Sequence, residues 1–93
     1  PIYQMAYGVQ RGLYRRGLRV PEDVSLVGFD DLPGSQFTLP PLTSVHHPAR
    51  EMGELAARHL LARLNDPQAR VALPQLPISL SVRESVRAAR VAP

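Results

Sequence analysis

Apolar residues recur at helical spacing near the start of the chain, which predicts a helix over 4–16 that packs one face against a sheet. The apolar stripe of this helix carries Met5, Val9 and Leu13. Gly17 suits the left-handed position just after a helix, and Leu18 can then fold back onto Leu13 as in a Schellman motif. The pattern therefore predicts that the helix stops at Gly17.

A second face of the same helix carries Tyr7, Arg11 and Tyr14. This face lies off the apolar stripe and is more aromatic than a plain solvent-exposed surface, so it predicts a subunit interface. Two isolated surface tyrosines are the alternative interpretation.

A nearly unbroken apolar run, Val24 to Phe29, follows a turn at 20–23. Such a run is typical of a parallel strand that helices cover on both faces. A helix followed by this strand is the second half of a βαβ crossover whose first strand would precede residue 1, so we expect a piece of a larger fold. After a loop over 32–42, the β-branched segment Thr43 to His46 is either a strand or an extended hinge.

The second half of the chain predicts another helix and another strand. Pro48 suits the first turn of a helix that runs to about Asn65, with an apolar face that carries Met52, Leu55, Ala56, Leu60 and Leu64. Its opposite face carries the ion-pair series Arg50, Glu54 and Arg58. The alternation of Ile78, Leu80 and Val82 with polar residues predicts a strand with its apolar face covered, and from Val86 onward we expect a frayed tail.

Composition narrows the classes of function. The 93 residues carry a net charge of +3 and contain no cysteine, which excludes disulfides and thiolate metal sites and fits a cytoplasmic protein. All the basic charge is arginine, spread along the chain without interleaved aromatic residues, so a solvated surface is favoured over a nucleic-acid groove. No segment is apolar enough for a membrane span.

Two carboxylates follow the buried strand directly. Asp30 stands at the carboxyl end of the strand, where an open α/β sheet binds ligands, and Gly28 allows close backbone approach. A carboxylate there accepts hydrogen bonds from sugar hydroxyls or purine N–H groups. The residues alone slightly favour the alternative, in which Asp30 only caps the following turn. Asp31 is interpreted as turn or capping chemistry.

The remaining polar residues predict neither catalysis nor metal binding, and no cofactor is expected. His46 and His47 are adjacent and point to opposite sides of an extended backbone, so at most one of them faces a ligand and they cannot share a metal. The serines lack a nucleophile elbow, and adjacent Asp30 and Asp31 cannot form a facing carboxylate pair. We therefore expect that the chain is not an enzyme.

Five blocks of sequence together resemble the C-terminal part of LacI-family transcriptional regulators, in the family's order and at family-like spacing. They are MAYG at 5–8, GLRVPEDVSLVGFDD at 17–31, PPLTSVHHP at 40–48, MGELAARHLL at 52–61 and LSVRES at 80–85. The resemblance implies an α/β fold, a fragment of a two-subdomain periplasmic-binding-protein-like fold with parallel sheets flanked by helices. It assigns 1–46 to the C-terminal subdomain, 47–75 to a helix of the N-terminal subdomain, 76–85 to a returning strand and 86–93 to a tail.

The resemblance also implies site residues and partners. Asp30 matches the family's effector-binding aspartate, and His47 stands where a glutamine often lines the cleft. The dimer interface would include Tyr7, Arg11, Gln36, Phe37, Thr38 and Leu39. The implied partners are a small-molecule effector, either a sugar or a purine-like compound, a second copy of the chain, and DNA through an N-terminal helix-turn-helix that is absent here.

These observations favour the sensor of a bacterial transcriptional repressor of sugar or related catabolic genes. The alternatives are the sugar-binding component of an ABC importer, which shares the architecture, and a truncated gene product without ligand function. Because two helices and two or three strands cannot cover both faces of a parallel sheet, we expect that the isolated chain does not fold stably.

Overall fold

The computed structural model describes residues 3–70, 72 and 74–89. These residues form two α-helices, a short 3-10 helix and three strands in chain order. The elements are α1 (Tyr3–Arg15), β1 (Val27–Phe29), the 3-10 helix Pro33–Phe37, β2 (Thr43–His46), α2 (Ala49–Asn65) and β3 (Ser79–Ser81). The segment Thr43 to His46 is therefore a strand.

The three strands form one mixed sheet in the order β1-β2-β3. β1 and β2 run parallel, with Val27 opposite Thr43, whereas β2 and β3 run antiparallel, with His46 opposite Ser79. The α/β class is confirmed, but the sheet is mixed because the last strand returns against β2.

The chain divides into two compact units, with boundaries after His46 and before Ser79. Unit 1 contains α1, the 3-10 helix and all three strands, and unit 2 runs from His47 to Ile78. Polypeptide therefore leaves unit 1 at the end of β2 and comes back to it at the start of β3.

α1 ends as its sequence predicts. The Leu18 N–H donates to the Leu13 carbonyl at 2.9 Å and the Gly17 N–H donates to the Tyr14 carbonyl at 3.0 Å, which together define a Schellman motif. Gly17 has a φ of +74°, a conformation that favours glycine.

The predicted buried stripe of α1 is wrong in two of its three positions. Met5 and Val9 are exposed, whereas Ala6 is buried and Tyr7 packs against the core. The reason is that the loop after β1 lies against this other face, where the Gln10 amide donates to the Pro40 carbonyl at 3.1 Å.

The core of unit 1 is small and joins Ala6, Leu26 and Leu42. The prediction that helices cover β1 on both faces is wrong within this chain, because Val27 and Phe29 remain 40% and 44% exposed while Gly28 is buried. The expectation that this apolar run stays partly wet in the isolated chain is confirmed.

The segment 80–85, which begins in β3, turns its polar side chains inward, and this reverses the predicted orientation. Ser85 is fully buried and Ser81 and Arg83 are partly buried, whereas Leu80 and Val82 are exposed. The hydrogen bonds explain this choice: the Ser85 hydroxyl accepts the Thr43 N–H at 2.8 Å and donates to the Leu26 carbonyl at 2.6 Å.

The predicted frayed tail is wrong for its first part. The Arg87 N–H donates to the Ser25 hydroxyl at 3.0 Å, and the Arg87 guanidinium donates to the Glu22 carbonyl at 3.4 Å. These contacts attach the segment to unit 1, and positions 90–93 lie outside the described residues.

In unit 2, α2 follows its predicted bounds, with Pro48 at the N-cap and Asp66 at the C-cap. The Arg50 guanidinium pairs with the Glu54 carboxylate at 3.3 Å on the wet face, as the spacing predicts. No described residue of α2 is buried, so its apolar face is uncovered within this chain.

Candidate functional site

Asp30 lies directly after β1, where its backbone turns sharply. Its φ is +88°, its N–H donates to the Val45 carbonyl at 3.0 Å, and the residue is half-buried. The carboxyl end of a strand that runs parallel to its neighbour is the place where α/β folds bind ligands. Asp30 therefore lies at the carboxyl end of β1, as the sequence predicts.

Gly28 makes room for a side chain of the core. A Cβ at this position would lie 2.8 Å from the Leu42 Cδ2 atom, closer than packed carbon atoms approach. The fully buried side chain of Leu42 therefore occupies the space beside the Gly28 backbone.

Asp31 is the centre of a hydrogen-bond network, so its interpretation as turn or capping chemistry is wrong. Its Oδ1 accepts from Arg83 Nη1 at 2.7 Å, and its Oδ2 accepts from the Ser81 hydroxyl at 2.8 Å. His46 Nδ1 lies 3.1 Å from the same Oδ2. Arg83 Nη1 also donates to the Leu42 carbonyl at 2.6 Å. We call these four side chains, Asp31, His46, Ser81 and Arg83, the Asp31 network.

The network keeps a nearly buried carboxylate ionised. Burial by itself raises the pKa of Asp31, whose side chain is only 7% exposed. Hydrogen bonds from Arg83 and Ser81, together with the charge of Arg83, outweigh burial and hold the pKa of Asp31 below its usual range. The negative charge at the end of β1 is thus bonded to β3 and to the end of β2.

One signal for this network is present in the sequence pattern. Ser81, Arg83 and Ser85 alternate at period two, so they share one face of an extended segment. A polar stripe of this kind that includes an arginine predicts a buried partner for the cation.

The two adjacent histidines have different surroundings. His46 is half exposed and contacts Asp31 within unit 1. His47 begins unit 2, where its carbonyl accepts the Ala49 N–H at 2.8 Å at the start of α2. Of the two predicted effector contacts, Asp30 therefore belongs to unit 1 and His47 to unit 2.

The residues of the predicted interface divide into packed and exposed members. The Tyr7 hydroxyl lies 3.2 Å from the Ser35 hydroxyl, and the Thr38 hydroxyl donates to the Pro40 carbonyl at 2.8 Å. Arg11 and Gln36 are exposed. Phe37 and Leu39 are 78% and 93% exposed.

A groove of about 330 Å³ lies beside these exposed side chains, between the end of α1 and the loop that precedes β2. Its walls include Tyr14, Leu18 and Leu39. The groove is therefore a partly apolar surface on unit 1.

Across the described ranges, no three or more histidine or acidic side chains are grouped to hold a metal ion. None of the helices in the described part of the chain is long and apolar enough to cross a membrane.

Comparison with known proteins identifies the class. The family model of the periplasmic binding protein-like domain matches residues 3–86, so the chain belongs to this family. The chain is also similar to the ribose operon repressor of Escherichia coli (strain K12), with 44% identity over 63 residues, which is 68% of this chain and 19% of the repressor.

Two solved structures share the fold. One is a LacI-family transcriptional regulator from Enterococcus faecium with bound ribose, at a TM-score of 0.82 and 32% identity, over 91% of this chain and 32% of that chain. The other is the lac repressor dimer bound to operator and the anti-inducer ONPF, at a TM-score of 0.80 and 38% identity, over 94% of this chain and 30% of that chain.

These matches confirm the resemblance to LacI-family regulators and the periplasmic-binding-protein-like fold. The relatives named above are transcriptional regulators and not enzymes or importer components, so they support the regulator hypothesis over the importer. The chain spans about a fifth of the ribose operon repressor and about a third of the two regulators of known structure.

Proposed function

We propose that this chain is the C-terminal part of the effector-binding domain of a cytoplasmic, DNA-binding transcriptional repressor. The observation that carries the proposal is the match of nearly the whole chain to a ribose-bound LacI-family regulator. The effector is a small polyhydroxylated molecule, with D-ribose as the first candidate and a purine-like compound as the second. DNA is bound by a helix-turn-helix that lies outside this chain.

Unit 1 corresponds to the C-terminal subdomain and unit 2 to part of the N-terminal subdomain. The division of the chain after His46 and before Ser79 supports this assignment. β2 and β3 are then two of the strands that connect the subdomains. A ligand shifts the equilibrium between two conformations of such a domain only as far as its affinity differs between them.

Asp30 is the residue that contacts the effector from unit 1, and His47 is a contact from unit 2. An ionised carboxylate accepts two hydrogen bonds from neighbouring sugar hydroxyls, and each charge-assisted bond contributes about 1.5–3 kcal/mol. Loss of one such bond corresponds to a roughly 10- to 150-fold weaker affinity.

The test uses the full-length protein and DNA from upstream of its own gene. D-ribose is titrated while operator release is followed, for the wild type, Asp30→Ala and the control Asp23→Ala, which removes a carboxylate that pairs with Arg19 elsewhere in unit 1. We expect release for the wild type and the control, and little change in operator affinity for Asp30→Ala at a ribose concentration that just saturates the wild type. Full induction of Asp30→Ala at that concentration refutes the role of Asp30.

The repressor acts as a homodimer through the surface of unit 1 that carries Tyr7, Arg11 and the loop 36–39. The large exposure of Phe37 and Leu39 supports this proposal, because apolar side chains at such exposure mark interaction surfaces. Leu39→Glu should convert the dimer to a monomer in analytical ultracentrifugation, whereas Arg58→Glu, on the opposite, exposed face of α2, should not. A Leu39→Glu protein that stays dimeric contradicts the placement of the interface.

A further inference from the structure

Asp30 and Asp31 form a left-handed pair of residues at the end of β1. Their φ angles are +88° and +49°, a region that residues with a Cβ rarely adopt. Two such residues in succession persist only where the surrounding structure holds them in place. The end of β1 therefore requires a restraint, and the neighbouring strands provide it.

β2 fixes the backbone of both residues. The Asp30 N–H donates to the Val45 carbonyl at 3.0 Å, and the Asp31 N–H donates to the Ser44 hydroxyl at 3.1 Å. Ser44 is fully buried, so its hydroxyl is held in a defined position. These bonds set the distance of the turn from β2, but they do not determine its orientation toward β3.

The Asp31 carboxylate connects the turn to β3. Both of its oxygens are used, Oδ1 by Arg83 and Oδ2 by Ser81 and His46. Arg83 is itself anchored, because the same Nη1 donates to the Leu42 carbonyl at 2.6 Å and the Arg83 N–H donates to the Thr43 hydroxyl at 2.8 Å. The anchored Arg83 side chain thus donates to the nearly buried carboxylate of Asp31, one residue away from Asp30.

We propose that Asp31 and Arg83 are a positioning pair that holds the left-handed turn on which Asp30 meets the effector, without contacting the effector themselves. This inference rests on the proposed function of Asp30. Arg83, which lies 52 positions away from Asp31 along the chain, thereby contributes indirectly to the affinity for the effector. A pair of this kind preorganises a ligand contact, so its loss reduces affinity through Asp30.

The first test is a double-mutant cycle in the full-length protein with D-ribose, followed by calorimetry. We expect Asp31→Asn and Arg83→Gln each to weaken ribose binding about tenfold or more in the wild-type background, and less than about twofold in the Asp30→Asn background. Arg83→Lys should restore part of the affinity, since an ammonium group can donate to both Asp31 and the Leu42 carbonyl. Asp23→Asn is the matched control and should leave affinity unchanged.

The second test does not require a ligand. Hydrogen exchange followed by mass spectrometry should show faster exchange in the peptide that contains Asp30 and Asp31 for Arg83→Gln, with no change in peptides of α1. Unchanged exchange at Asp30 and Asp31 overturns the proposal. So does an Asp31→Asn effect on ribose affinity that is equally large in both backgrounds, because the network would then support unit 1 in general. If the wild type does not bind ribose, the proposed sugar effector is wrong, and the exchange measurement alone decides the role of the pair.

Discussion

Removal of the Ser85 hydroxyl tests whether the segment that follows β3 is held by polar contacts. This hydroxyl accepts the Thr43 N–H at 2.8 Å and donates to the Leu26 carbonyl at 2.6 Å, and Ser85 itself is fully buried. The substitution Ser85→Ala therefore leaves one buried donor and one buried acceptor without these partners. The bond from the Leu26 N–H to the Ser85 carbonyl, at 2.9 Å, is retained.

The expected loss in the free energy of unfolding follows from the two backbone groups that lose a hydrogen-bond partner, the Thr43 N–H and the Leu26 carbonyl. A buried backbone group that loses its partner costs about 1–3 kcal/mol, so Ser85→Ala should lower the free energy of unfolding by roughly 2–4 kcal/mol. The assay is urea unfolding of the full-length protein followed by circular dichroism, with midpoints compared at equal slope.

Ser79→Ala is the matched control, since Ser79 is an exposed serine of β3. It should change the free energy of unfolding by less than about 0.5 kcal/mol. If Ser85→Ala is no more destabilising than Ser79→Ala, the reasoning that buried hydrogen bonds hold the segment after β3 is refuted.

Three further predictions concern the same unit. Gly28→Ala should destabilise the protein by about 1–3 kcal/mol in urea unfolding because its Cβ meets Leu42, whereas Gly8→Ala, with open space around it, should not; equal midpoints would contradict this. Because the pKa of Asp31 is lowered on folding, its ionised form contributes stability above about pH 4 that is lost as the pH falls further. Urea midpoints of wild type and Asp31→Asn should therefore differ at pH 7 and converge in acid, and a constant difference would argue against an ionised Asp31. Residues 1–93 alone should give no cooperative thermal transition as a monodisperse monomer; a sharp transition in calorimetry would overturn that expectation.

Features set by neighbouring residues could be predicted from the sequence. The Schellman end at Gly17 and the bounds of α2 depend on local backbone preferences and on helix-ending residues, which act within a few positions. The position of Asp30 directly after an apolar strand also follows from neighbouring residues.

Features set by distant residues could not be predicted. The buried face of α1 was misjudged because contacts with Ser35 and Pro40 select it, and hydrophobic spacing does not record them. The role of Asp31 depends on Arg83, and no local pattern joins two residues at that separation. The resemblance to a family supplied the overall architecture, whereas it gave no role to this pair.

The Asp31 network joins residues that are synthesised at different times. Arg83 leaves the ribosome 52 residues after Asp31, a delay of about 3–10 s at ordinary rates of translation. During this interval the carboxylate lacks the arginine that compensates its burial, so the end of β1 stays hydrated and β1 cannot reach its final state. The end of β1 is thus completed by residues that are made after α1, α2 and β2, and a chain interrupted before Ser81 lacks two of the groups that bond the Asp31 carboxylate.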